Sequence, residues 1–264
     1  MTVEAVAHAP RPAAPFAPQH PADRNFFLLL VILIWLGVAG GFGLDMIAHF
    51  KGTRPYPLIV HFHAALFVGW LALLTAQVAL IRGRRADIHR RLGMAAAWMI
   101  PVMVVMALAT AWTVQRQQFF QFGVNHAPFI SINITDMLGF STLAFAGIAL
   151  RRDSPAHKRL MLLSTLYLST AGFARLWLLT IGTAGTHTFW GWFIAYNIGG
   201  DIVIALLGVY DLATRGRLHR AYVLGAGWIL ARFVASGKLA TGGTGEADGL
   251  DAHTPILSKW LADV

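Results

Sequence analysis

Arg82-Gly83-Arg84-Arg85-Ala86-Asp87-Ile88-His89-Arg90-Arg91-Leu92-Gly93 is a basic loop between two long apolar runs. Its pattern returns twice, as Arg151-Arg152-Asp153-Ser154-Pro155-Ala156-His157-Lys158-Arg159 and as Arg215-Gly216-Arg217-Leu218-His219-Arg220. Each version ends in histidine followed by Arg or Lys, and the histidines are 68 and then 62 residues apart. Long apolar runs joined by short basic loops read as helical hairpins that turn on one side of a membrane. The chain is therefore expected to be an all-α transmembrane bundle of about seven spans, one helix plus three hairpins.

Composition agrees with this reading. Of 264 residues, 56% are hydrophobic and 12% charged, about half the charge of an average soluble domain. The net charge of +9 raises nucleic-acid binding, but the basic residues sit in short loops between apolar runs rather than in a patch, so no nucleic-acid partner is expected. The absence of cysteine removes disulfides, thiolate-bound zinc, iron–sulfur clusters and covalently attached haem. No GxxxxGK[ST] loop and no HExxH pair occurs, and Gly242-Gly243-Thr244-Gly245 has Asp248 where a GxGxxG motif needs its third glycine.

Residues 1–25 carry Pro10, Pro12, Pro15, Pro18 and Pro21 among many alanines and are expected to be a disordered tail. The first span, Phe26–Gly43, has 18 residues without a charge, near the ~20 that cross a bilayer. Its Gly37 and Gly41 form a GxxxG pair, taken here as the ordinary small-residue content of membrane helices rather than as a contact. Further spans are expected at about Pro57–Ile81, Leu92–Val114, Phe129–Leu150, Leu160–Ile181 and Phe189–Tyr210. A shorter seventh, Ala221–Ala235, has Arg232 snorkelling at its far end. The transmembrane domain is thus 26–236, followed by a C-terminal tail, 237–264. The three hairpin loops hold twelve Lys and Arg and the loops on the other side three. That bias puts the hairpin loops and the N-terminus in the cytoplasm and the C-terminus outside.

Ser154-Pro155 reads as an N-cap followed by proline at the first helical position, and Asp87 plays a similar capping part. His89 and His157 then fall in first helical turns, where the helix dipole favours neutral imidazole, the form that ligates a metal. Other polar groups lie inside spans, where they usually face a partner or a cavity. They are His61, His63 and Gln77 in span two, Asn133 and Asp136 in span four, Arg175 in span five, and Asn197 and Asp201 in span six. Counting ~1.5 Å per residue, His63, Asn133, Asp136, Arg175, Asn197 and Asp201 are placed to line one polar pocket in the outer half. An ion pair of Arg175 with Asp136 or Asp201 is the structural alternative. His61 and His63 project to nearly opposite sides of their helix, and the deeper His63 is preferred for a shared site.

The histidines also sort by side. His63 and His126 lie near the outer face, on spans two and four. His89 and His157 lie near the inner face, on spans three and five. One pair per side on four consecutive helices permits bis-histidine binding of haem b. The simpler account is that the loop histidines anchor the turns among lipid headgroups.

Several stretches carry a resemblance: His61-Phe-His63-Ala-Ala-Leu-Phe-Val-Gly-Trp70, Ile88-His-Arg-Arg-Leu-Gly93, Ala156-His-Lys-Arg-Leu-Met161 with Arg175, and Asp201 with Tyr210-Asp211 and Arg217-Leu-His219. Over roughly residues 26–235 the chain resembles a widespread bacterial family of uncharacterised multi-span membrane proteins. The placement of histidines is also similar to the cytochrome b561 superfamily, whose four haem ligands sit on four consecutive helices. That likeness implies His63, His89, His126 and His157 as ligands, with Arg175 partnering a propionate or a quinone oxygen. Two functions follow. One is a b-type haem or quinone-linked redox component, or an accessory factor to other membrane redox proteins. The other is a transporter or sensor of a small solute or protons, using His61, Asn133, Asp136, Asn197 and Asp201 as its pocket.

Overall fold

The computed structural model describes residues 16–50, 56–122, 127–182 and 189–240. Among them are seven helices and no strand: α1 (Asp23–Phe50), α2 (Leu58–Arg82), α3 (Ala86–Phe122), α4 (Ala127–Ala149), α5 (Ser154–Thr180), α6 (Phe189–Arg215) and α7 (Arg220–Ala240). The first six are long and apolar enough to cross a membrane, which suggests a multi-pass membrane protein. Their outward faces are apolar, with Leu58, Trp98 and Val105 largely exposed, as a surface in contact with lipid tails requires.

The helices pack as a closed ring of six, in the order α1, α2, α3, α4, α7, α6, around α5. The central helix is among the less apolar of the seven. Its buried face runs through Ser164, Thr165, Ser169, Gly172 and Ala174, small residues that let neighbouring backbones come close. The hydroxyls cost little there, because Ser164 and Thr165 both donate to Met161 O, at 2.8 and 2.9 Å, and Ser169 donates to Leu166 O. A Cβ on Gly41 would collide with the carbonyl of Gly172, and one on Gly37 with the ring of Phe173. The GxxxG pair is therefore a contact between α1 and α5. The sequence reading missed this because the facing glycine lies 131 residues away from Gly41.

The three basic turns and the start of α1 share one end of the bundle. Arg24 donates to Arg82 O, at 2.8 Å, and Arg82 donates to Asn25 Oδ1, at 2.9 Å. Asp23 accepts from Lys158 Nζ at 2.6 Å, from Tyr210 OH at 2.6 Å and from Arg215 at 2.9 Å. Residues 16–22, expected to be disordered, lie against this end. The ring of Phe16 stands about 5 Å from the guanidinium carbons of Arg159 and Arg215, an arrangement the ring quadrupole favours. Residues 1–15 lie outside the described chain.

Several boundaries differ from expectation. α3 continues two turns past Val114, to Phe122, and α7 runs to Ala240, four residues into the expected tail. α5 is capped by Asp153, whose carboxylate accepts from the Ala156 N–H at 3.1 Å, so Ser154 and Pro155 are already helical. Asp87 likewise sits inside the first turn of α3. α6 runs unbroken through Gly199-Gly200, so the glycine pair does not interrupt the helix.

Candidate functional site

The turns between α2 and α3 and between α4 and α5 set two histidines at matching heights. Gly83 closes α2, and Arg84 takes a positive φ of 60° to reverse the chain into α3. Before α5 the turn keeps an ordinary φ, −90° at Asp153, whose side chain caps the helix. His89 and His157 are each the fourth residue of their helix, and the imidazoles meet across the gap between α3 and α5. Their ring centroids are 6.1 Å apart and their planes perpendicular, at 89°.

This gap is unlike the others around α5. The central helix makes close backbone contact with α1, α4, α6 and α7. Toward α2 and α3 it is reached by long side chains: Trp70 Nε1 donates to Thr165 Oγ1 at 3.2 Å, and His89 meets His157. Trp70 is itself buried, edge-on to Phe140.

Each imidazole is braced on its Nδ1 side. His157 Nδ1 lies 2.8 Å from the carbonyl of Gly147 on α4. A carbonyl only accepts, so Nδ1 carries a proton, and in the neutral ring Nε2 keeps its lone pair. That is the arrangement of a metal-ligating histidine, with the second nitrogen held by a backbone acceptor. Gly147 suits the contact, since a Cβ there would come within 3.0 Å of Met161 Sδ and 3.3 Å of Leu160 Cβ. His89 Nδ1 faces the side-chain amide of Gln77 on α2, 2.6 Å away.

Two imidazoles from separate helices in edge-to-face contact are a donor set of the kind a haem iron takes.

The opposite end of the bundle distributes its polar groups differently from the expected pocket. Arg175 pairs with Asp45 of α1, Nε to Oδ2 3.3 Å, rather than with Asp136 or Asp201, and its guanidinium lies over Phe42. Asp136 instead pairs with Arg232 of α7, whose charge also lies 4.7 Å from the centre of the Tyr167 ring. Arg232 is thus buried in the bundle rather than snorkelling. Desolvation makes an unpaired buried guanidinium too costly, so it finds the nearest carboxylate. Asn197 donates to the carbonyl of Phe193 on its own helix, at 2.9 Å. His61 is exposed while His63 turns inward and stacks on Phe67. Asp201 is partly buried, and its Oδ1 and the Nδ1 of His63 have no hydrogen-bond partner among the described residues. Arg175 acts electrostatically on His63, Tyr56 and Tyr196. Tyr56, which also faces Asp45, has its phenol pushed up to about 12 by burial and by that carboxylate. His126, the expected partner of His63, lies outside the described residues, and Asn133 is half-buried on α4.

Sequence reasoning placed His89 and His157 at one height but assigned no role to three groups that surround or lock them. Gln77 was noted as a polar residue inside a span without a partner. Gly147 carried no signal, because its role lies in its carbonyl. The Arg159–Asp211 pair, fully buried at the basic end, was hidden because Arg159 read as one more loop charge. No family model, curated protein or solved structure matches the chain.

Proposed function

We propose that the protein is a b-type haem carrier of a bacterial inner membrane, with His89 and His157 as the axial ligands of one haem near the cytoplasmic face. The observation that carries this reading is the 6.1 Å, perpendicular approach of two imidazoles from separate helices. Support comes also from the His157–Gly147 brace and from the wider gap between α5 and the α2–α3 hairpin. The likeness to the cytochrome b561 superfamily points the same way. Bound there, the haem would supply one-electron chemistry. The chain's own residues bind it, fix the imidazole orientation and keep water out, with Trp70 and Phe140 deeper in the core. Exchange of electrons with quinone or another membrane redox protein follows from that role. In this reading all seven helices span the bilayer and the N-terminus is cytoplasmic. The three basic turns and the start of α1 lie together at one end of the bundle, in keeping with the twelve-to-three charge bias.

The test is the absorbance spectrum of protein purified from haem-replete cells, oxidised and then reduced with dithionite. A Soret band that shifts on reduction, and is lost in both His89→Ala and His157→Ala, is the expected result. A colourless protein that takes up no added haemin would overturn the reading. A second reading, a solute or proton site in the outer half, draws on the buried Asp201 Oδ1 and His63 Nδ1. Under it, Asp201→Asn abolishes binding or proton uptake while the haem spectrum stays unchanged.

A further inference from the structure

Three guanidiniums converge on one place at the basic end, and the group standing there is an aromatic ring. The guanidinium carbons of Arg159 on α5, Arg215 at the end of α6 and Arg217 in the following turn lie 4.9, 5.0 and 5.9 Å from the centre of the Phe16 ring. His219 meets the same ring edge-on, with centroids 4.7 Å apart. Gly216, at a φ of 67°, turns the chain between Arg215 and Arg217.

The charges gathered here do not balance. Asp211 holds Arg159 and stands 3.9 Å from Arg215, while Asp23 holds Lys158 and Arg215. Asp153 is spent on the cap of α5. Arg217 makes no ion pair or hydrogen bond among the described residues, and its charge faces the Phe16 ring. Four cations thus share two carboxylates. The excess is met by the face of a ring and by the Ala17 carbonyl, which accepts from Arg215 Nε at 3.0 Å. A ring face attracts a guanidinium but does not accept the paired hydrogen bonds of its fork. A phosphate carries full charge and accepts those bonds with several oxygens.

Phe16 and Ala17 reach this place on a short segment anchored at its other end. Asp23 Oδ2 accepts from the His20 N–H at 3.1 Å, and His20 Nδ1 accepts from the Ala22 N–H at 3.2 Å. Pro18 and Pro21 have no N–H with which to tie it down further. Ahead of His20, the ring and one carbonyl hold the segment, and both can be exchanged without disturbing a helix. Beneath it the side chain of Arg159 is fully buried and that of Arg215 is 1% exposed.

We infer that the basic end is a phosphate-binding site latched by Phe16. A phosphate group, on a lipid headgroup or in solution, takes the fork of Arg217 and the Arg215 Nε that Ala17 releases, and residues 16–19 swing away. Anionic lipid gathers beside basic turns of this kind. The inference is independent of the haem reading.

The experiment uses the full chain in a maltoside detergent, which carries no phosphate, as wild type, Phe16→Ala and Phe16→Ala/Arg217→Gln. One arm titrates inorganic phosphate at an ionic strength held constant with chloride. The other titrates short-chain phosphatidylglycerol, with the matching diacylglycerol as control. Removing the ring removes the competitor, so Phe16→Ala is expected to bind at least one probe roughly tenfold tighter than wild type. Arg217→Gln in that background is expected to weaken binding by about tenfold. Fluorophenylalanine at position 16 of the otherwise wild-type chain should leave its docked fluorine resonance as the same probe is added. The arm in which these effects occur names the source of the phosphate. The inference is overturned if neither probe binds Phe16→Ala more tightly than wild type, or if Arg217→Gln leaves that binding unchanged. It is overturned equally if chloride or diacylglycerol alone releases the fluorine signal to the same extent.

Discussion

Removing one partner of the Arg159–Asp211 pair is expected to be the most destabilising single change at the basic end. Both side chains have zero solvent exposure. Arg159 Nε donates to Asp211 Oδ2 at 2.8 Å, a second nitrogen reaches Oδ1, and the third donates to Pro155 O at 2.8 Å. The pair ties α5 to α6, and Arg215 stands 3.9 Å from the same carboxylate. Asp211→Ala therefore strands one buried guanidinium outright and weakens the compensation of a second. Breaking a buried pair from one side costs about 3–5 kcal/mol. At roughly 2–4 °C per kcal/mol for a chain of about this size, the midpoint should fall by about 6–20 °C. The double variant Arg159→Met/Asp211→Ala should recover most of that loss, because no uncompensated charge from this pair stays buried. The assay is thermal unfolding in detergent, followed by helical circular dichroism and by recovery of a monodisperse species. The reasoning fails if Asp211→Ala costs less than about 1 kcal/mol, or if the double variant loses the sum of the two single losses.

Three further changes test other parts of the structure. Gly41→Ala should destabilise by about 1–3 kcal/mol, since its Cβ meets the backbone of Gly172. Gly43→Ala, which meets open space, should stabilise by up to about 1 kcal/mol through helix propensity alone; equal effects would remove the α1–α5 contact from the argument. Cysteine at Phe120 should react with an impermeant thiol reagent added to intact cells, and cysteine at Ala86 only after lysis; both positions are exposed, and the reverse pattern would invert the topology. His219, in the turn between α6 and α7, is held below its ordinary value of 6.5 by burial and then by the charge of Arg159. Its folded form resists protonation while the unfolded chain accepts a proton, so stability should fall as pH drops below about 6.5. His219→Gln should flatten that dependence between pH 7 and pH 5, and an unchanged slope would exclude His219 as its source.

Much of the fold was legible in the chain because long apolar runs leave few options. Backbone groups in lipid must bond within their own helix, so each long apolar run from Phe26 onward became a helix, and the repeated basic turns fixed how the helices pair in sequence. The same turns placed His89 and His157 in first helical turns on neighbouring hairpins. What the chain alone left open was which faces meet, because apolar runs in lipid carry little periodic signal. Only the tertiary structure put α5 at the centre, through small residues that read as unremarkable in sequence. It also re-paired the buried charges: Arg175 took Asp45 and Asp136 took Arg232, since a charge in a bundle pairs with the carboxylate its helix face meets, at any distance along the chain. Residues 16–22 look disordered by composition, yet cation–π contacts to Phe16 and the bonds of Asp23 hold them to the basic end. The pairing of His89 with His157, and the amide of Gln77 behind it, depended in the same way on helix rotation, a degree of freedom that spacing along a chain does not specify.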